Sequence, residues 1–287
     1  MHRVTLLLLL SLLPLHVGCS GSSDAPDLLA SEDAAAAADV VGQSDVAAEL
    51  AGAELSRPED DLTGRWAHLQ LIGTLVNAPV IGQIPTTNRA VLLWDLVQGE
   101  DGSVTILQTT CDLTLQSESQ FSEMIIPDAF VAAISPYSKA GTVDFTSNPP
   151  LLNVPPFPEV HGAKLTDPLS EPLPTTGDDP RVVDADGDGN PGLTMFVSGM
   201  VDGAIYVVRR NVVGIVDATV FPDRMEGLLI WSQEQVVLGS DNPILAENPT
   251  QIEVDPDPNK THFTCVRIPE EWGCEEVLAA GDDLFAR

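Results

Sequence analysis

From residue 62 onward the chain is a succession of aliphatic and β-branched runs cut short by glycine, proline and Asp-Gly pairs. That punctuation leaves no room for long helices and limits the fold more than any other feature. Runs at Arg65 to Val76, Ala90 to Val97 and Val104 to Leu115 open the series, the last two joined through Gly99-Glu100-Asp101-Gly102. Leu193 to Val201 and Ala204 to Arg210 flank a second Asp-Gly pair, Asp202-Gly203. Val212 to Phe221, Glu226 to Trp231, Gln235 to Leu238 and Thr261 to Ile268 follow. Asp-Gly between two such runs is a hairpin signal, because both residues tolerate positive φ. The pattern predicts one all-β globular domain over 62–287, a single antiparallel barrel or sandwich with one or two short helices. Pro127 ahead of Asp128-Ala129-Phe130 marks a helix start, and Cys274 to Phe285 reads as a second helix broken near Gly281. From Asn148 to Pro180 prolines dominate. This stretch reads as a long Pro-rich loop with a short strand at Val160 to Leu165, part of it packed on the sheet. Apolar residues make up 44% of the chain and aromatic ones 5%, so the predicted core is mainly aliphatic.

Met1 to Gly18 has a basic start (Arg3) and an apolar run, Val4 to Leu15, too short to span a bilayer. Leu15-His16-Val17-Gly18-Cys19 resembles the lipobox of bacterial lipoproteins, with His16 where that family usually has leucine. The resemblance implies a signal peptide over 1–18 and a lipidated Cys19, the usual carrier of palmitate in that family. Ser20 after the cysteine implies sorting to the outer membrane or cell surface. Residues 19–61 then form a tether, rich in Ala, Ser and Gly, with eleven acids against one base (Arg57) after Cys19. Low hydrophobicity and high charge predict disorder there. The formal charge of the whole chain is −30, which argues against nucleic acid as a partner; the membrane contact expected is the lipid anchor alone.

The most specific chemistry lies in Asp184-Ala-Asp-Gly-Asp-Gly-Asn190. Carboxylates at every second position can wrap one hard cation, and the glycines let the backbone turn between them. Asp184, Asp186 and Asp188 are the side-chain ligands this spacing predicts, and Asn190 would offer its backbone carbonyl. The segment resembles the first half of an EF-hand loop, which implies calcium. It departs from that pattern at the twelfth position, Met195, where the family has a bidentate glutamate. The remaining oxygens are expected from Asp178, Asp179, Asp202, backbone or water, in a structural site of the weak extracellular class, about 10⁻⁴ to 10⁻³ M. Lipobox and loop together resemble bacterial envelope lipoproteins carrying an Asp-x-Asp-x-Asp-Gly loop.

With Cys19 lipidated, Cys111, Cys265 and Cys274 remain, and outside the cytoplasm two of them are expected to pair. The sequence leaves Cys265–Cys274 and Cys111–Cys274 both open. His68, His161 and His262 read as isolated surface or half-buried residues, Arg209-Arg210 as surface ion pairs, and Trp94, Trp231 and Trp272 as core. Gly64-Arg65-Trp66 resembles the Gly-x-Trp signature of lipocalins, which implies an eight-stranded barrel with a central apolar cavity. No catalytic motif is found. Three readings follow. The first is a lipid-anchored, calcium-stabilised β-domain acting as a structural or binding module, its protein or small-molecule partner open. The others are a lipocalin-like carrier of an apolar ligand and a metal-assisted hydrolase.

Overall fold

A computed structural model describes residues 61–78, 82–119, 122–247 and 251–286. The expected signal peptide, Cys19 and the expected tether up to residue 60 lie outside the described residues. The strands are β1 (Gly64–Ala78), β2 (Gly82–Gln98), β3 (Ser103–Ser117), β4 (Ser122–Ile125), β5 (Tyr137–Asp144), β6 (Leu151–His161), β7 (Leu193–Gly199), β8 (Gly203–Val220), β9 (Arg224–Ser240), β10 (Gln251–Val254) and β11 (His262–Arg267). Three short helices are α1 (Asp128–Ala132), α2 (Pro243–Glu247) and α3 (Cys274–Ala280). The fold is all-β, as the run-and-turn pattern predicts.

Eight of the strands close into a ring. In order, β1, β2, β3, β5, β6, β8, β9 and β11 each pair antiparallel with the next, and β11 pairs back to β1. Because the order round the ring is the order along the chain, the architecture is an up-and-down barrel. β4 and β7 extend the sheet from β8, and β10 adds to β1. The runs Ala204 to Arg210 and Val212 to Phe221, separate in the sequence reading, are one strand, β8; so are the two runs that make β9. The Gly99 to Gly102 turn joins β2 and β3, with the Gly99 N–H donating to the Ser103 carbonyl at 2.8 Å and Gly102 at φ 79°.

The proline-rich stretch differs from the sequence expectation. Its strand, β6, starts at Leu151 and runs through Pro155, Pro156 and Pro158. Proline has no N–H to give a ladder, and the β6–β8 register shifts on either side of Val154, before Phe157. The β5–β6 ladder covers only Thr142–Asp144 against Leu151–Asn153; beyond it the two strands meet through side chains, Tyr137 stacked on Phe157 with ring centroids 5.1 Å apart. Residues 162–183 pack back on the outside of β8, where Ala163, Leu173 and Val208 are buried together.

Alternation sorts β8 cleanly. Val213 and Ile215, then Ala218 and Val220 after a bulge at Asp217 (φ 52°), face the main core with Trp66, Trp94, Met225 and Phe263. Ile205 and Val207 face a second cluster with Phe130, Leu193 and Met195. One end of the barrel is sealed by Trp66, fully buried, whose indole donates to the Leu62 carbonyl at 2.9 Å. The Arg267 guanidinium sits 4.3 Å from its ring centroid and donates to the Thr63 and Asp61 carbonyls.

On the outer face of β1 to β3 the C-terminal segment forms another cluster, in which Val277 and Phe285 pack on Ala67, Val91 and Leu93. Cys111 and Cys274 form a disulfide within it, with Cα atoms 5.2 Å apart. The alternative pairing, Cys265 with Cys274, is not the one formed. Cys265 faces the barrel interior, while Cys274 begins a helix outside it. The bridge closes a loop across 163 residues. The double variant Cys111→Ser, Cys274→Ser is therefore expected to lose about 2–5 kcal/mol of unfolding free energy. Urea denaturation reads this as a lower midpoint, and an unchanged midpoint would mean that the terminal segment is held by packing alone.

Candidate functional sites

The acidic loop connects the Pro-rich excursion to β7. Its backbone closes through the Ala185 N–H to the Gly192 carbonyl (3.0 Å) and the Gly192 N–H to the Val183 carbonyl (3.1 Å). Gly192 sits at φ 87°, and a Cβ there would lie 2.3 Å from the Val207 carbonyl oxygen, so only glycine fits. Asp184 accepts from the N–H groups of Gly187, Asp188 and Gly189 at 2.8, 3.2 and 2.9 Å. Asp188 accepts from the Asn190 N–H (2.8 Å) and the Thr194 hydroxyl (2.5 Å), and the hydroxyl bond holds its carboxyl below the usual range. Asp186 Oδ2 accepts from the Thr194 N–H at 2.9 Å, while its Oδ1 is buried with no partner.

Oxygens of Asp184, Asp186 and Asp188 lie within 4.8 Å of one another, close enough to hold a metal ion. The other expected donors are not in this group. Asp179 is engaged by Arg181 at 2.7 Å, which pulls its pKa down to about 2, and Asp202 caps the β7–β8 turn by accepting from the Gly199 N–H. The Asn190 side chain donates to Asp188 at 3.1 Å, and Met195 is wholly buried.

A second site, inside the barrel, is absent from the sequence reading. Between the two apolar clusters of β8 come Asn211 and Arg209, and a belt of polar side chains meets them from the other strands. Arg209 is only 7% exposed, so its placing among surface ion pairs is corrected; Arg210, one residue on, faces out and pairs with Glu234. The Arg209 guanidinium donates to the Gln233 side chain at 2.5 Å and to Asn211 at 3.2 Å. Lys139, 8% exposed, donates to Gln108 Oε1 at 2.6 Å and lies 4.7 Å from the Trp94 ring centroid. Tyr137 donates a short hydrogen bond to Glu159, and Gln108 donates to Tyr137. His68, expected at the surface or half-buried, is 1% exposed, stacked on Phe263 at 4.9 Å and against Trp94 at 4.2 Å.

Burial governs the protonation of this belt. Loss of water pushes the Lys139 ammonium down to about 8, against the opposing pull of Glu159. It pushes Arg209 down to about 10 and His161 to about 4, the latter helped by Arg209. His68 is held well below its ordinary value by burial and then by Lys139, while burial and Glu159 raise the Tyr137 hydroxyl. Near neutrality the belt therefore carries two cations and two uncharged imidazoles.

Two interior cavities flank Arg209. One of about 50 Å³ is lined by Leu92, Phe130, Glu159, His161, Val213 and Trp231 among others. The second, of about 60 Å³, lies towards Ile84, Met124 and Met195. Arg209, Asn88 and Leu115 line both. Outside, an open groove of about 370 Å³ runs beside β5 and β6 beyond the end of their ladder. It shares Ile134, Glu159 and His161 with the first cavity and reaches Val183 and Ala185 at the acidic loop.

A charge at an inward parity is the signal that sequence offered for this belt: Arg209 shares parity with Val207 and Val213, and Lys139 with Val143. Comparison with protein-family models, with curated proteins and with solved structures finds no match to this chain.

Lys139 titrates near 8 when folded and near 10.5 when exposed, so between those values the unfolded chain holds the extra proton. Stability should rise with pH from about 8 towards 10. Lys139→Met is expected to be more stable at pH 7 by about 1–4 kcal/mol and to lose that rise, as thermal melts across the range would show. A melting temperature in Lys139→Met that is lower at pH 7 would mean that the ammonium is a net stabiliser of the belt.

Proposed function

We propose that this protein is a ligand-holding β-barrel, lipid-anchored at the outer membrane or cell surface, with its acidic loop clamped by calcium. The observation that carries the reading is the closed ring of eight strands around an interior that is apolar at both ends and polar, with cavities, in the middle. A barrel that served only as a spacer would gain nothing from a belt of buried charge, since each unpaired ion costs free energy. Eight-stranded barrels have interiors just wide enough to be filled or to hold one small ligand. The ligand enters by the groove between β5 and β6, where the ladder is interrupted. The Gly64-Arg65-Trp66 resemblance favours the same class of function, although the belt departs from the wholly apolar cavity it implies.

The function is tested with butyramide, a neutral molecule of six heavy atoms, followed by NMR on the mature protein. Shifts are expected to concentrate on Leu92, Phe130, Val213 and Trp231. Saturable binding elsewhere, or none, would contradict a ligand chamber.

Calcium is favoured for the loop by three hard oxygen donors in a turn and by the orphaned Asp186 oxygen, which a cation would satisfy. Its role is structural, holding residues 184–194 to the start of β7 through Thr194. Calorimetry is expected to give one site of about 10⁻⁴ to 10⁻³ M with a raised melting temperature, both lost in Asp186→Asn. Absence of heat at about 10⁻² M calcium would reduce the loop to an acidic turn. The tether rests on the lipobox-like residues before Cys19. Cys19→Ala should abolish palmitate incorporation and release the protein from membranes; labelling that persists would rule the anchor out.

A further inference from the structure

Charge does not balance inside the barrel. Glu159 is the one acid among the residues lining the two cavities. Two buried cations share it: both Arg209 and Lys139 feel its charge, yet neither forms an ion pair with it among the described residues. Arg89 also reaches the first cavity, but it is compensated by Asp112 at 3.2 Å and Asp282 at 2.6 Å. The interior thus holds one positive charge too many, in a chain whose overall charge is −30.

Hydrogen bonding around Arg209 is also incomplete. Its Nε and Nη2 are taken by Asn211 and Gln233, and no described residue accepts from Nη1. On β9, opposite Asn211 and Arg209, Gln233 Nε2 and both amide atoms of Gln235 are buried without partners. Buried donors are seldom left unpaired; two of these atoms, Gln233 Nε2 and Gln235 Nε2, are donors, and with the open Nη1 they mark a place where an acceptor belongs beside the guanidinium. The cavity walls add the rest: Leu92, Leu113, Phe130, Val213 and Trp231 are apolar.

We propose that the barrel binds a short amphipathic carboxylate, its carboxylate on Arg209 beside Gln233 and its hydrocarbon part against Leu92, Val213 and Trp231. This deepens the ligand-chamber reading and rests on it. The guanidinium offers a planar fork that matches a carboxylate. A monoanion cancels the single excess charge; a phosphate would bring more charge than the belt can balance and no apolar part for the walls. Cavities of about 50 and 60 Å³ limit the ligand to a few heavy atoms on each side of Arg209. An engineered cavity of about 150 Å³ takes a six-atom benzene, so a six-atom carboxylate fits here only by spanning both cavities at Arg209.

Butyrate and butyramide have the same shape and differ in charge, so the pair isolates this claim. With the mature protein at pH 7, butyrate is expected to bind at least about tenfold more tightly than butyramide. Arg209→Met should bring the two to parity. Glu159→Gln, which removes the competing carboxylate and keeps the shape, should tighten butyrate about threefold or more, and it tests the idea even if Arg209→Met does not fold. Butyramide binding as tightly as butyrate, or butyrate weakened by Glu159→Gln, would overturn the anion reading and leave the chamber standing. Neither molecule binding would overturn both.

Discussion

Ring closure is the constraint on which the rest depends. Pairing β11 with β1 and with β9 leaves none of the eight ring strands with a free edge along its paired length. An open sheet would have to cover those edges with other chain segments, or risk pairing with other molecules. Closure also fixes which residues share the interior, because alternation puts every second side chain inside. Trp66 under the Arg267 guanidinium seals one end, so the hollow part lies further along the strands.

That hollow part is where the fold carries its cost. Burying Lys139 and Arg209 removes two cations from water, and the hydrogen bonds they donate to Gln108, Asn211 and Gln233 offset only part of it. The apolar clusters on either side supply the stability that lets such a belt persist. The C-terminal segment, bridged from Cys274 to Cys111, reinforces the wall at β3 from outside. The proposed binding layer and the layers that supply stability are thus different parts of one barrel.

The two candidate sites were legible to different degrees. The aspartates at 184, 186 and 188 stand within five residues, so their chemistry can be read locally, and the structure brings their oxygens together. The belt draws on strands from β1 to β9, and no local pattern assembles it. Most long strands announced themselves by aliphatic runs and Asp-Gly turns. β6 was hidden by Pro155, Pro156 and Pro158, which sit where the ladder shifts and so escape the usual exclusion of proline from strands. β4, β5 and β10 are short or carry too few apolar residues to stand out. The Arg209-Arg210 pair looked like surface charge because a dipeptide hides the fact that a strand points its neighbours in opposite directions.

The groove beside β5 and β6 touches both sites, with Glu159 and His161 at its inner end and Ala185 at the acidic loop. An ion that fixed the loop would also fix one margin of that entrance. The most direct test of the account is a crystal structure of the protein purified from its native source without denaturation, at a resolution that shows ordered water. The account predicts continuous density for a small molecule between the Arg209 guanidinium and Trp231. An interior closed by side chains, with single waters at most around Arg209, would contradict it.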